Sequence, residues 1–210
     1  QLPPKTAMFW GGCEALFTAR TLGPLYDMAH AIDPALFTQI TEGAKQDILF
    51  PQVLNALQRN GKTNVMIFED LHWADTATLD LIKYLGRRLS QLKILMILTG
   101  RSDEIGPDHP MTQVLGDLPS HAITRLEPAP LSQQAVASLA KMAGREAAGL
   151  HKITGGNPFF VTEILASEVE DKTAVPISIR DAVWSRVARL GPKERTVLEI
   201  MSLAPRSLES

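Results

Sequence analysis

The stretch Val65-Met66-Ile67-Phe68-Glu69-Asp70 decides the fold class, because it is a continuous apolar run that ends in two carboxylates. Consecutive apolar residues predict a strand that is covered on both faces, as in a parallel sheet. Ligands of open α/β sheets bind beyond the carboxyl ends of the strands, where Glu69 and Asp70 are expected. One carboxylate can hold Mg²⁺ through water while its neighbour orients or deprotonates an attacking water. The same pair is equally typical of an acidic strand exit that caps the next helix.

Further apolar runs flank this stretch, and helical patterns separate them. Strands are predicted at residues 7–10, 93–99 and, more weakly, 122–126. A helix is predicted over 46–58, and another after Asp75 or Thr76, either of which suits an N-cap. Apolar residues follow at helical spacing: Leu79, Ile82, Leu85 and Leu89. Alternating strands and helices predict an α/β domain with a parallel sheet.

From about Leu131 the strand-like runs stop and only helical patterns follow. Helices are predicted at 132–144, 146–153, 158–169, 177–190 and 192–203. Ser132 precedes the first of them as an N-cap, and Pro192 suits the first turn of the last. A helical part therefore follows the α/β part.

The composition excludes several classes of protein. The chain has 210 residues, of which 45% are hydrophobic and 21% charged, and its net charge is −2. This composition is typical of a globular protein. The net charge gives no general positive potential that would attract nucleic acid. Cys13 is the single cysteine, which excludes an intrachain disulfide and suits a reducing cytosol. No apolar run approaches the ~20 residues that span a bilayer, so no membrane partner is expected.

Several segments resemble one family of ATPases. Residues 69–75, Glu-Asp-Leu-His-Trp-Ala-Asp, with the leucine-rich helix behind them, resemble the Walker B segment of the STAND class of AAA+-like P-loop ATPases. This class includes the ATPase module of large LuxR-type transcriptional regulators. Further segments resemble other parts of that module in the expected order: residues 12–16 and 22–25 (after the second core strand), 98–101 (sensor 1), 125–132 (last core strand and entry to the lid), 155–160 (lid motif) and 175–183 (entry to a winged helix).

The resemblance implies a fold and a division of the chain. The fold is α/β, a P-loop NTPase-like parallel sheet that is incomplete at its N-terminus, followed by an all-helical lid and the start of a winged-helix region. The implied bounds are 1–130 for the partial core, 131–175 for the lid and 176–210 for the winged-helix start.

The resemblance also implies the site and its cofactors, ATP or ADP with Mg²⁺. Asp70 and Arg101 take the catalytic positions, with Arg101 facing the γ-phosphate. Glu69 and Asp70 hold Mg²⁺ through water, and Glu69 stands where the family commonly has aspartate. Thr99 contacts the nucleotide at the end of its strand, and Pro158 packs against adenine.

One part of the family pattern, the P-loop, has no match in this sequence. Gly61-Lys62-Thr63 has its last three residues, but Ala56 stands where the first glycine belongs, and the segment leads into a strand rather than a helix. We expect the P-loop upstream of residue 7, on a strand that lies between the sensor 1 strand and the last core strand. Without that strand, two strands present bare edges. These 210 residues are therefore predicted to bind ATP weakly and to be inactive alone.

Three functions remain open at this stage. The first is a cytoplasmic, nucleotide-dependent switch of a transcriptional regulator that binds DNA through regions outside this chain and is able to self-associate. The second is a non-catalytic NTPase-like scaffold for protein interactions. The third is a replication-initiator-like AAA+ protein that binds DNA directly, which the net charge of −2 disfavours.

Some residues of chemically reactive types are predicted to have structural roles rather than catalytic or metal-binding ones. Cys13 is predicted to be a small core residue. His72 and Trp73 are predicted to pack and hydrogen-bond their loop. No metal-ligand spacing relates three further histidines to one another or to acidic residues: His109, His121 and His151.

Overall fold

The computed structural model describes residues 6–16, 18, 20–167 and 176–203. The chain divides into two compact units, Gln1–Arg125 and Leu126–Ser210. The first unit contains the three strands found among the described residues, and the second is helical. The α/β class is therefore confirmed, and the finer P-loop assignment stays a prediction.

The three strands form one parallel sheet in the order in which they occur in the chain. They are β1 (Thr6–Gly12), β2 (Thr63–Glu69) and β3 (Ile94–Leu98). In the register of the sheet, Phe9 lies opposite Met66 and Met66 lies opposite Met96. The strands predicted at 7–10, 65–68 and 93–99 are confirmed, because each is an apolar run that finds a neighbour to pair with.

Five α-helices belong to the first unit: α1 (Gly23–Ile32), α2 (Pro34–Thr41), α3 (Gln46–Arg59), α4 (Thr76–Gly86) and α5 (Pro110–Gly116). The helix predicted over 46–58 is confirmed, and Pro51 lies inside it. Asp75 is the N-cap of α4. Leu89 is not part of α4, because the chain enters a short 3-10 helix, Leu89–Gln91.

The core of this unit lies on one face of the sheet. Phe9, Met66 and Phe68 point to that face, and each is at most 5% exposed. They pack in one apolar cluster with residues of α1, α3 and α4, among them Leu25, Val53 and Ile82. The connections from β1 to β2 and from β2 to β3 both advance across the sheet in the same direction. Right-handed connections of this kind place their helices on the same face of the sheet, which explains the one-sided core.

The opposite face of the sheet is apolar and largely uncovered. Alternation along each strand places Met8 and Trp10 there, in register with Val65 and Ile67 and then with Leu95 and Ile97. On the two outer strands, Trp10 is 61% exposed, Met8 54%, Leu95 53% and Ile97 39%, whereas Val65 on the central strand is only 3% exposed. We call these six residues the bare face.

The weak fourth strand predicted at 122–126 is wrong. Ala122 ends a 3-10 helix, Ser120–Ala122, and residues 123–130 have no regular structure. Leu126 is 83% exposed. A strand needs a partner for its backbone groups, and no strand of the described sheet pairs with this segment.

The second unit contains α6 (Gln133–Met142), α7 (Leu150–Thr154), α8 (Pro158–Ala166), α9 (Ile177–Val187) and α10 (Pro192–Leu203). Ser132 caps α6 by accepting a bond from the Ala135 N–H, as predicted. The helix predicted over 146–153 starts later, because Gly149 takes a left-handed conformation just before α7. A small apolar cluster holds α6, α7 and α8 together: Val136, Ala140, Leu150 and Val161.

Some predictions fall on residues outside the described ranges. They are the end of the helix predicted over 158–169, the boundary at 175, and Val175 at the start of the winged-helix segment. No helix in the described part of the chain has both the length and the apolarity needed to cross a membrane.

Candidate functional site

The carboxyl ends of β2 and β3 bring three of the predicted site residues together. β2 ends in Glu69, with Asp70 directly after it, and Thr99 follows β3. The Asp70 N–H donates to the Thr99 hydroxyl oxygen at 3.2 Å. The Thr99 N–H donates to the Phe68 carbonyl at 3.0 Å, and the Leu71 N–H donates to the Thr99 carbonyl at 2.9 Å. Thr99 is thus fastened to the end of β2 by three hydrogen bonds.

Asp70 turns the chain sharply out of the sheet. Its φ of 55° lies in the left-handed region, which aspartate tolerates better than most residues. The chain then forms a single 3-10 turn, Leu71–Trp73. The Asp70 side chain is left 46% exposed at the end of the strand, where it can contact a ligand.

His72 is the middle residue of this turn, and its side chain is fully buried. Its Nδ1 is 3.9 Å from Asp70 Oδ1 and its Nε2 is 3.8 Å from Glu104 Oε2, and neither nitrogen has a hydrogen-bond partner. Burial lowers the pKa of His72, although the nearby Glu104 and Asp70 carboxylates act to raise it. The prediction that the His72 ring hydrogen-bonds the loop is therefore wrong, while its packing against Trp73, with ring centroids 4.4 Å apart, is confirmed.

Arg101 follows Thr99 by two residues and is paired within its own loop. Its Nη1 donates to Glu104 Oε1 at 2.7 Å, and its guanidinium lies 5.6 Å from the centroid of the Trp73 ring. The charge of Arg101 is thus neutralised by Glu104. Sequence reasoning missed Glu104, for which the three-residue spacing from Arg101 was the only signal.

A scan against models of protein families found no match for this chain. The curated proteins and the solved structures gave no match either.

Asp75 fixes the entrance to α4 and the loop after β1. Its Oδ1 accepts the N–H groups of Ala77 and Thr78 at 3.0 and 3.1 Å. Its Oδ2 accepts the Leu22 N–H at 3.2 Å and the Thr78 hydroxyl. Leu22 has a left-handed φ of 57°, a conformation that leucine rarely adopts without such support. The Asp75 carboxylate therefore links the loop after β1 to the loop before α4, at the edge of the sheet where the strands have their carboxyl ends.

A cavity of about 350 Å³ opens at the carboxyl end of β1. Its lining includes Cys13, Asp27, Trp73 and Asp75, but neither Asp70, Thr99 nor Arg101. Cys13 is buried and unpaired, as predicted, and burial first, then the charges of Asp75 and Asp70, raise its pKa to about 12. The cavity thus adjoins the predicted catalytic residues without containing them.

The strand ends carry oxygen groups of the kind that bind a magnesium ion in proteins. Glu69, Asp70 and Thr99 supply carboxylate and hydroxyl oxygens, which are hard ligands. Within the described ranges, no group of three or more His, Cys, Asp or Glu residues is arranged to hold a metal. Two carboxylates suit Mg²⁺ in particular, because this ion takes few protein ligands and retains water.

Pro158 belongs to the second unit, where it is the first residue of α8. Asn157 caps that helix by accepting the N–H of Phe159 at 3.0 Å and of Phe160 at 3.4 Å. This proline has the structural role of a helix start. Its contact with adenine stays a prediction.

Proposed function

We propose that this chain forms most of the core of an ATP-binding regulatory switch of the P-loop type, such as the module of a LuxR-type transcriptional regulator. The observation that carries the proposal is the hydrogen bond from the Asp70 N–H to the Thr99 hydroxyl at 3.2 Å. This bond joins the acidic end of one parallel strand to the polar end of its neighbour, at the edge where α/β sheets bind ligands.

Each side chain at this edge has a chemical role in the proposal. Asp70 orients or deprotonates the water that attacks the γ-phosphate, and Glu69 holds the magnesium ion through water. Thr99 and Arg101 face the terminal phosphate, where Arg101 stabilises developing negative charge. Bound Mg²⁺ supplies further neutralisation of the phosphate oxygens.

The bare face and the free edge of β3 support a further strand, loop and helix that carry the P-loop. The proposed strand precedes β1 in the chain and pairs in parallel with the free edge of β3. The connection from this strand to β1 therefore crosses the sheet in the direction opposite to the connections from β1 to β2 and from β2 to β3. Its connecting helix then lies on the other face and covers Trp10 and Leu95. Parallel sheets are normally covered on both faces, so this addition also removes an unusual exposure.

Calorimetric titration with Mg-ATP tests the proposal on the chain itself. We expect weak binding, with backbone amide shifts in NMR spectra centred on Asp70 and Thr99. Sub-micromolar binding by the chain alone would rule out the need for a separate P-loop. Shifts elsewhere would move the site away from these strand ends.

Hydrolysis is tested in a protein in which a P-loop segment is joined to this chain. Asp70→Asn is expected to slow phosphate release about 100-fold or more while sparing nucleotide binding, because it removes a general base. Asp80→Asn is the matched control, since Asp80 is exposed on α4. Equal turnover in both variants would remove Asp70 from the catalytic role.

The second candidate is a non-catalytic scaffold, which the exposed apolar bare face favours. A scaffold predicts that Mg-ATP leaves the Asp70 and Thr99 amides unshifted. The first proposal also includes DNA binding through regions outside this chain, self-association and a cytoplasmic location.

A further inference from the structure

Glu104 stands between two nitrogen groups and is bonded to one of them. Its Oε1 accepts a hydrogen bond from Arg101 Nη1 at 2.7 Å, whereas its Oε2 lies 3.8 Å from His72 Nε2. Both ring nitrogens of His72 are buried without a hydrogen-bond partner. A buried polar group left unpaired costs about 1–3 kcal/mol, so an arrangement that pairs His72 with Glu104 recovers part of that cost.

The pair between Arg101 and Glu104 is weak enough to exchange. The two side chains are 35% and 29% exposed, and ion pairs at such positions contribute about 0–1 kcal/mol. The planar guanidinium also matches the oxygens of a phosphate, to which it can donate two parallel hydrogen bonds. A phosphate at the strand ends therefore competes directly with Glu104 for Arg101.

We propose that Glu104 is the resting partner of Arg101 and yields it to the terminal phosphate of ATP, turning instead to the Nε2–H of His72. This inference rests on the proposed function. ADP has no terminal phosphate and leaves the resting pair intact. Glu104 is thus a positioning residue that acts through Arg101 and sets the preference of the site for ATP over ADP.

The test compares Glu104→Gln with Asp103→Asn in the full chain. Both variants remove one negative charge, but Asp103 is exposed and makes no bond to Arg101. ATP, ADP and inorganic triphosphate are each titrated against ¹⁵N-labelled protein, following the Asp70 and Thr99 amides and the Arg101 side-chain N–H. Glu104→Gln is expected to raise the ATP-to-ADP affinity ratio about fivefold over wild type and to tighten triphosphate binding similarly. Asp103→Asn is expected to leave the ratio unchanged.

The outcomes separate this inference from the function on which it rests. If ATP shifts the Asp70 and Thr99 amides but the two variants have equal ratios, the exchange of Arg101 is wrong and the site stands. If no nucleotide shifts those amides in any variant, the proposed function fails. A bond from His72 Nε2–H to Glu104, seen by NMR only with ATP or triphosphate, supports the exchange. In an Arg101→Met background, Glu104→Gln must no longer change the ATP-to-ADP affinity ratio, because Glu104 acts through Arg101. A rise of similar size in that background would also overturn the exchange.

Discussion

Gly11 and Gly12 end β1 side by side, yet their surroundings differ completely. A Cβ atom on Gly11 would collide with the carbonyl oxygen of Pro24 and lie 2.6 Å from its Cα. A Cβ atom on Gly12 would meet nothing within 4 Å. The missing side chain of Gly11 therefore lets α1 lie against β1, a contact that no other residue type permits.

Gly11→Ala is predicted to destabilise the first unit by about 3 kcal/mol, because backbone atoms of α1 must move to admit the methyl group. Gly12→Ala is the control and is expected to change stability by less than about 1 kcal/mol. Urea unfolding followed by circular dichroism measures both. Equal effects of the two substitutions would show that α1 does not pack on Gly11 as described.

The thiol of Cys13 gives a prediction about pH. Burial raises its pKa from the ordinary 9.0 to about 12, so the folded protein keeps a proton that the unfolded chain releases above pH 9. Stability contributed by this group is therefore present below pH 9 and is lost as pH rises from 9 towards 12, by about 1.4 kcal/mol per pH unit at most. Urea midpoints measured across this range are expected to fall less in Cys13→Ala than in wild type. A thiol reagent at pH 8 should react with Cys13 slowly until urea unfolds the chain.

The helix α4 depends on the four hydrogen bonds that Asp75 accepts. Asp75→Ala is predicted to cost about 2–3 kcal/mol, since it removes the helix cap and leaves the Leu22 N–H without its acceptor. Asp75→Asn retains one acceptor oxygen and is expected to cost about half as much. Urea midpoints rank the two, and a loss below ~0.5 kcal/mol for Asp75→Ala would contradict the linking role.

Elements with strong local signals could be predicted from the sequence, and elements that depend on a partner could not. The run at Val65 and the cap at Asp75 carry their own signals, so β2 and α4 are confirmed. Residues 122–126 have the apolarity of a strand, but pairing depends on a neighbour that no local pattern records. Likewise, Met8, Phe9 and Trp10 are all apolar, so the sequence does not show which of them face the helices.

The placement of the candidate site residues was predictable to the same extent. Glu69, Asp70 and Thr99 meet because the carboxyl ends of adjacent parallel strands share one edge. The pairing of Arg101 with Glu104 and the burial of His72 depend on how residues 99–105 fold back onto the turn at Leu71–Trp73. That packing involves side chains distant in sequence, which spacing alone does not reveal.

The bare face predicts how the chain behaves in solution. Trp10→Lys is expected to reduce binding of a hydrophobic dye and light scattering while changing stability by less than ~0.5 kcal/mol, because Trp10 is 61% exposed. Phe9→Lys, one position away on the covered face, is expected to cost about 4 kcal/mol or more. Unchanged dye binding in Trp10→Lys would mean that another surface causes the association.

The strand order also has a consequence for how the protein is made. Each strand pairs with the strand that precedes it in the chain, so the sheet can assemble in the order in which the ribosome releases it. Every pairing closes only the connection to the preceding strand, residues 13–62 for β1 with β2 and residues 70–93 for β2 with β3. No described strand pairs with one further back in the chain. The newest strand is always the growing edge, and the exposed apolar side chains of the bare face are Met8, Trp10, Leu95 and Ile97. A nascent chain of this kind is a natural client for chaperones that recognise exposed apolar surface.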